Sequence, residues 1–172
     1  SVGYYQTVNK TTPVAGDVKY VDRNGDGVVD DNDRDIIGNP NPDFTYGFQT
    51  KVSWKSLSLS ASFNGVQGRD ILNVGNRYNN TPGTKSNNVT RKAFQNMWTD
   101  ENPSNLYPKS TFVVQNMVMD RYVEDGSYLR CSDITLSYVL PAKWTNKIGI
   151  KNTSVYASVK NAFVITDYSG YD

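Results

Sequence analysis

From Phe44 to Asn64 the chain alternates between apolar and polar residues with a period of two, and few backbones satisfy such a pattern. Phe44, Tyr46, Phe48, Val52 and Trp54 take even positions, with Thr45, Gly47, Gln49, Lys51 and Ser53 between them. After Lys55-Ser56 the apolar residues move to odd positions, Leu57, Leu59, Ala61 and Phe63, separated by Ser58, Ser60, Ser62 and ending at Asn64. Successive side chains of an extended strand point to opposite faces, so each run is a strand with one apolar and one polar face. The two-residue break joins them as an antiparallel hairpin. Two surroundings suit it. In a soluble sandwich a second sheet would cover the apolar faces; in an outer-membrane barrel lipid would cover them, and the polar side chains would line a wet lumen. Aromatic residues stand at both ends of the hairpin, Phe44, Tyr46 and Phe63 at one and Trp54 at the other, as interfacial girdles require. The run from Phe44 to Lys55 also reaches the ~9–11 residues that a tilted spanning strand needs.

The same reading predicts four strands, at 44–55, 57–65, 127–140 and 153–166. In the third, Leu129 and Cys131 share one parity while Ile134, Leu136, Tyr138 and Leu140 share the other, which calls for a bulge near Ser132-Asp133. In the fourth, Val155, Ala157, Val159, Phe163 and Ile165 face one way. A strand-like run is expected over Asp17–Val21, one helical turn within Asp33–Gly38, and a short helix over Val89–Trp98 capped by Asn87 or Asn88. The connections alternate: long before Phe44, tight at Lys55-Ser56, very long over 65–125, and moderate over 141–150. Outer-membrane barrels pair short periplasmic turns with long outer loops, and all four strands then run up and down without conflict. The expected fold is all-β, part of a transmembrane barrel.

Composition narrows the chemistry. Among 172 residues there is no histidine, which removes Ser-His-Asp and Cys-His catalysis and histidine-bearing zinc sites. No carboxylate pair has a recognisable catalytic spacing, so an enzyme is not expected. A net charge of +1 and the lack of a basic cluster give no case for nucleic acid. The single cysteine, Cys131, excludes an internal disulfide and reads as a packed small residue. No apolar run approaches the ~18 residues of a membrane helix. A first residue Ser1 without Met suggests a piece of something longer.

The most specific motif is Asp22-Arg23-Asn24-Gly25-Asp26-Gly27-Val28-Val29-Asp30-Asp31-Asn32-Asp33. It matches a twelve-residue calcium loop at positions 1, 3, 5, 6, 9 and 12. A hard cation of this size wants six to eight oxygens, so a chain that wraps it must offer one at nearly every second residue. Asp22, Asn24 and Asp26 would give side-chain oxygens, Val28 its carbonyl, and Asp30 an oxygen directly or through water. Asp33 would close the shell, with a shorter arm than the usual Glu, and Gly27 would take the sharp turn. The entering segment is extended and no second copy exists, unlike an EF-hand pair. The alternative is a solvated Asn/Asp/Gly turn.

Several stretches together resemble the C-terminal region of SusC/RagA-type TonB-dependent outer-membrane receptors of Bacteroidetes. They are Gly16-Asp17-Val18-Lys19-Tyr20 running into Asp22–Gly27, Ile37-Gly38-Asn39-Pro40-Asn41-Pro42-Asp43-Phe44-Thr45-Tyr46-Gly47, Arg121–Arg130, Ile134-Thr135-Leu136-Ser137-Tyr138 and Tyr168-Ser169-Gly170-Tyr171-Asp172. The resemblance implies a barrel of about 22 strands closed by a plug, a SusD-like lipoprotein lid, and import of an oligosaccharide or peptide driven by the TonB-ExbB-ExbD complex. Residues 17–38 and 65–125 would then be extracellular. Four strands cannot close such a barrel. The competing expectation is a soluble, calcium-stabilised cell-surface β module that binds carbohydrate or protein. In the long loop, Tyr78, Trp98 and Tyr107 are candidates for stacking on a ligand, although packing of the loop on itself is the commoner use of such rings.

Overall fold

The structure, a computed structural model, describes residues 14–80, 88–110 and 118–171. They fall into two compact units. One is built from Asn39–Ile71 and Asp125–Tyr168; the other comes from the segment before Asn39, Leu72–Glu124 and the residues after Tyr168.

The first unit is a four-stranded antiparallel sheet, β1 (Phe44–Trp54), β2 (Leu57–Gln67), β5 (Tyr128–Val139) and β6 (Ser154–Thr166), in the order β1-β2-β5-β6. Two short strands, β3 (Asp70–Leu72) and β4 (Val123–Asp125), pair with each other. Pairing register carries the alternation of single strands across the whole sheet. Val52, Leu59, Leu136 and Ala157 stand in one row, Phe48, Phe63, Cys131 and Phe163 in another. The opposite face holds Lys51, Ser60, Thr135 and Ser158, then Gln49, Ser62, Asp133 and Lys160. A slip of one residue in any strand would turn its apolar set to the polar side, so the matched patterns hold the register.

The apolar face is uncovered. Trp54, Val52, Leu59, Leu136, Val155, Val159 and Ile165 are all exposed, Ala61, Phe63 and Ile134 are half-buried, and Cys131 is fully buried. Its row neighbours Phe63 and Phe163 bring their ring centroids to 6.4 Å, and Phe48 stacks on Phe63 at 4.6 Å. An apolar face of this extent, with no second layer among the described residues, suits lipid and not water.

The register shifts between Cys131 and Asp133, at the place where the parity slip calls for a bulge. The irregularity also extends into β6, where Asn161 takes a left-handed φ of 49°. On the polar side of this bulge the Asp133 carboxylate accepts from Lys160 Nζ (2.7 Å), Thr135 Oγ1 (2.9 Å) and Ser158 Oγ (3.0 Å). At the far end, Lys55 takes a φ of 53° to close the hairpin. The β5–β6 connection contains a helical turn, α3 (Ala142–Thr145), and a 3-10 turn (Asn146–Ile148) ended by Gly149 at φ 72°.

The second unit contains more helix than its sequence suggests. The Asn-rich stretch read as loop forms α1 (Val74–Asn80), because Asn73 caps it: Asn76 N donates to Asn73 Oδ1 at 2.7 Å. The second helix, α2, runs only Arg91–Asn96, and its cap is Thr90, whose hydroxyl accepts from Ala93 N at 3.1 Å. Asn88 does not cap it, and Asn87 lies outside the described residues. The helical turn expected within Asp33–Gly38 instead occupies Asp31–Asp33, since Asp30 and Asp33 form a capping box around it. Asp17–Val21 makes no strand; it is held as a loop by the Asp17–Lys109 ion pair and by Lys109 N donating to Gly16 O at 2.9 Å.

Candidate ligand cavity and calcium loop

Within the second unit lies an open cavity of about 1140 Å³, and it brings together two of the three predicted ligand-stacking residues. Trp98 and Tyr107 line it, alongside Tyr20, Leu106 and Arg121. Met97 and Tyr107 form a parallel bridge, and Trp98 N donates to Tyr107 O at 3.0 Å, so the two aromatic residues are fixed to each other by backbone. One face of Trp98 is already used. A Cβ added to Gly16 would come within 2.7 Å of its ring, so the indole packs on that glycine. Tyr78 is not among the lining residues. It sits on α1 with the Arg77 guanidinium 5.6 Å from its ring centroid.

Asp30 and Asp33 of the acidic loop form part of the same wall. The loop is wound largely by its own side chains. Asp22 accepts from Gly25 N (2.7 Å) and Gly27 N (2.8 Å), Asn24 Oδ1 from Asp26 N (2.9 Å), and Asp26 from Val28 N (2.8 Å). Asp33 closes it by accepting from Arg23 N and Asp30 N, both at 2.7 Å, while Asp30 accepts from Asn32 N at 2.7 Å. These bonds need left-handed backbone at Gly25 (φ 75°) and Gly27 (φ 85°), where a Cβ would add strain. The N–H of Asp30 above all, then those of Arg23 and Asn24, hold the Asp33 carboxyl below its ordinary range. The donors are all hard oxygens, which is the chemistry calcium takes. The carboxylates are nevertheless turned to N–H groups, and among the described residues no three acidic side chains gather as a metal cluster.

A further constellation escapes sequence reasoning. Glu124 accepts through Oε1 from Asn73 Nδ2 (3.0 Å), Asn76 Nδ2 (2.9 Å) and Ser169 Oγ (2.9 Å), and through Oε2 from Ser169 N (2.8 Å). Partial burial pushes its carboxyl up, but the bonds from Ser169, Asn76 and Asn73 outweigh that and leave it below the ordinary value. Asn73 is itself buried. Only the occurrence of Glu124 and Ser169 in two separately distinctive stretches hinted at their importance.

No protein-family model matches the chain. It is 34% identical over 160 residues to TonB-dependent receptor P26 of Formosa agariphila, covering 90% of this chain and 16% of that protein. To TonB-dependent receptor SusC of Bacteroides thetaiotaomicron it is 33% identical over 160 residues, covering 89% of this chain and 15% of that one. The solved RagAB peptide transporter superposes on 80% of the chain with a TM-score of 0.66 and 29% identity, over 15% of the matched chain. The chain belongs to the SusC/RagA-type TonB-dependent receptors. It spans only about one sixth of the length of these relatives. Its sheet is part of an outer-membrane β-barrel, with antiparallel strands carrying an apolar face for lipid and a polar one for the interior. That setting, and not a soluble sandwich, accounts for the exposed apolar row.

Proposed function

We propose that this chain supplies barrel wall and outer loops to an importer that takes up an oligosaccharide or a peptide. A SusD-like lipoprotein would serve as lid and the TonB-ExbB-ExbD complex as energy source, through parts of the receptor outside this chain. The similarity to SusC and to the RagAB peptide transporter carries the reading. The barrel-like sheet and the open, aromatic-lined cavity support it. Rigid strands with variable loops let recognition change without disturbing the wall. Trp98 and Tyr107 would present their free faces to cargo, one ring each. In the intact receptor, Trp98→Ala and Tyr107→Ala should each weaken uptake roughly two- to tenfold, the worth of one aromatic contact, with the barrel still folded. Uptake and growth on the cognate nutrient unchanged in both variants would show the cavity to be passive.

The ligand spacing of the acidic loop supports a site for one calcium ion, which Asp22, Asn24, Asp26, Asp30, Asp33 and the Val28 carbonyl would hold once the carboxylates turned from the N–H groups they now accept from. When bound, the ion would supply charge to a wall now held by Asx-type hydrogen bonds and would offset repulsion among the acids. The prediction is that millimolar calcium protects residues 22–33 of the receptor from proteolysis, that a chelator removes the protection, and that Asp26→Ala abolishes it. Equal cleavage with calcium and with chelator would leave the loop as a metal-free turn.

A further inference from the structure

We propose that the end of the sheet opposite the long loops is a binding site for the headgroups of anionic phospholipid. Two connections meet there. Val139 N donates to Ser56 O at 2.8 Å and Leu140 N to Thr153 O at 2.9 Å, so the β1–β2 turn lies beside the β5–β6 connection. Together they present Lys55, Lys143, Lys147 and Lys151, all exposed. There is no acid to balance them: no Asp or Glu occurs from Phe44 to Gln67, or between Asp133 and Asp167. The basic groups are interleaved with large rings. Trp54 is 68% exposed at the last row of the apolar face, with Lys55 Nζ 4.7 Å from its ring centroid, and Trp144 on α3 is 63% exposed.

The chemistry selects lipid over a soluble anion. Tryptophan gains most at the level of the headgroups, where its ring is half in hydrocarbon and its N–H is wet. Lysine beside it can lay its alkyl stem on the apolar border and keep its ammonium on phosphate. The patch continues directly from the lipid-facing rows of the sheet, so a bilayer that covers Val52, Leu59 and Val155 must end at this edge. The connection is also held compact. Thr145 is buried, and Ile150 N bonds to its carbonyl at 3.1 Å, so the lysines are carried on a folded loop. The inference rests on the outer-membrane setting and not on the identity of the cargo.

The test uses the full receptor in nanodiscs of phosphatidylethanolamine with and without phosphatidylglycerol, and native mass spectrometry of the lipid it retains. The wild type should retain phosphatidylglycerol in preference. The combined Lys143→Gln, Lys147→Gln, Lys151→Gln variant should lose about fivefold in that preference per lysine removed, and the matching Lys→Arg variant should keep it. Heat-modifiable migration on a gel reports separately that each barrel is folded. An unchanged preference in the folded Gln variant would overturn the proposal, as would no preference in the wild type. A wild type that retains phosphatidylglycerol in preference yet imports neither oligosaccharide nor peptide would count against the import reading alone.

Discussion

Val159→Arg will destabilise the folded receptor by about 2–4 kcal/mol, the measured range for a cation near the bilayer midplane on the lipid face of a barrel. Val159 stands in the middle row of the apolar face, beside Ile134 and Ala61, and is 56% exposed. An arginine there has hydrocarbon on one side and a closed backbone ladder on the other, so its charge must snorkel toward an interface or draw water inward. Ser60→Arg is the control. Ser60 lies in the neighbouring row of the polar face with Lys51, so the new cation would share a wet interior that already holds one. Its cost should stay within about 0.5 kcal/mol, the usual range for a surface change. Equilibrium unfolding from lipid vesicles measures both. If Ser60→Arg proved the costly one, the two faces would have been assigned the wrong way round.

Glu124→Ala should loosen the loop unit by about 2–3 kcal/mol, in line with the loss of hydrogen bonds to a charged acceptor and the orphaning of their donors. The buried Asn73 amide would lose a main acceptor, and Ser169 N would lose the Glu124 oxygen it donates to. Hydrogen exchange at Ser169 N–H, together with proteolysis around α1, reads the effect directly. Protection of that amide unchanged in Glu124→Ala would defeat the idea. The pH dependence follows from the same bonds. The carboxyl is held below its ordinary value of 4.5 in the folded unit, so its contribution is complete above that value. It is lost as pH falls from 4.5 through the folded value. The wild type should therefore open around α1 in acid, and Glu124→Gln should show a weaker latch with that acid step removed.

What a residue's near neighbours decide was legible before any fold. Side-chain direction in a strand is a local property with a period of two, so the faces of β1 and β2 could be read from Phe44–Phe63 alone, and the slip at Ser132-Asp133 announced the β5 bulge. The winding of the acidic loop was legible for a similar reason, because its hydrogen bonds join residues at most ten positions apart, the longest from Arg23 N to the Asp33 carboxylate. Helix caps were read less well. Thr90 and Asn73 won over other polar residues nearby because their positions also suited the packing around α2 and α1, which composition does not encode. The left-handed Asn161 answers to pairing with β5, not to its own neighbours. The bond between Glu124 and Ser169 spans 45 positions, and the meeting of Trp98 with Gly16 and Tyr107 is likewise a product of chain path. No periodicity marks such meetings: closing a long loop costs much the same entropy wherever its ends land, and only the contacts made in the folded unit choose between them.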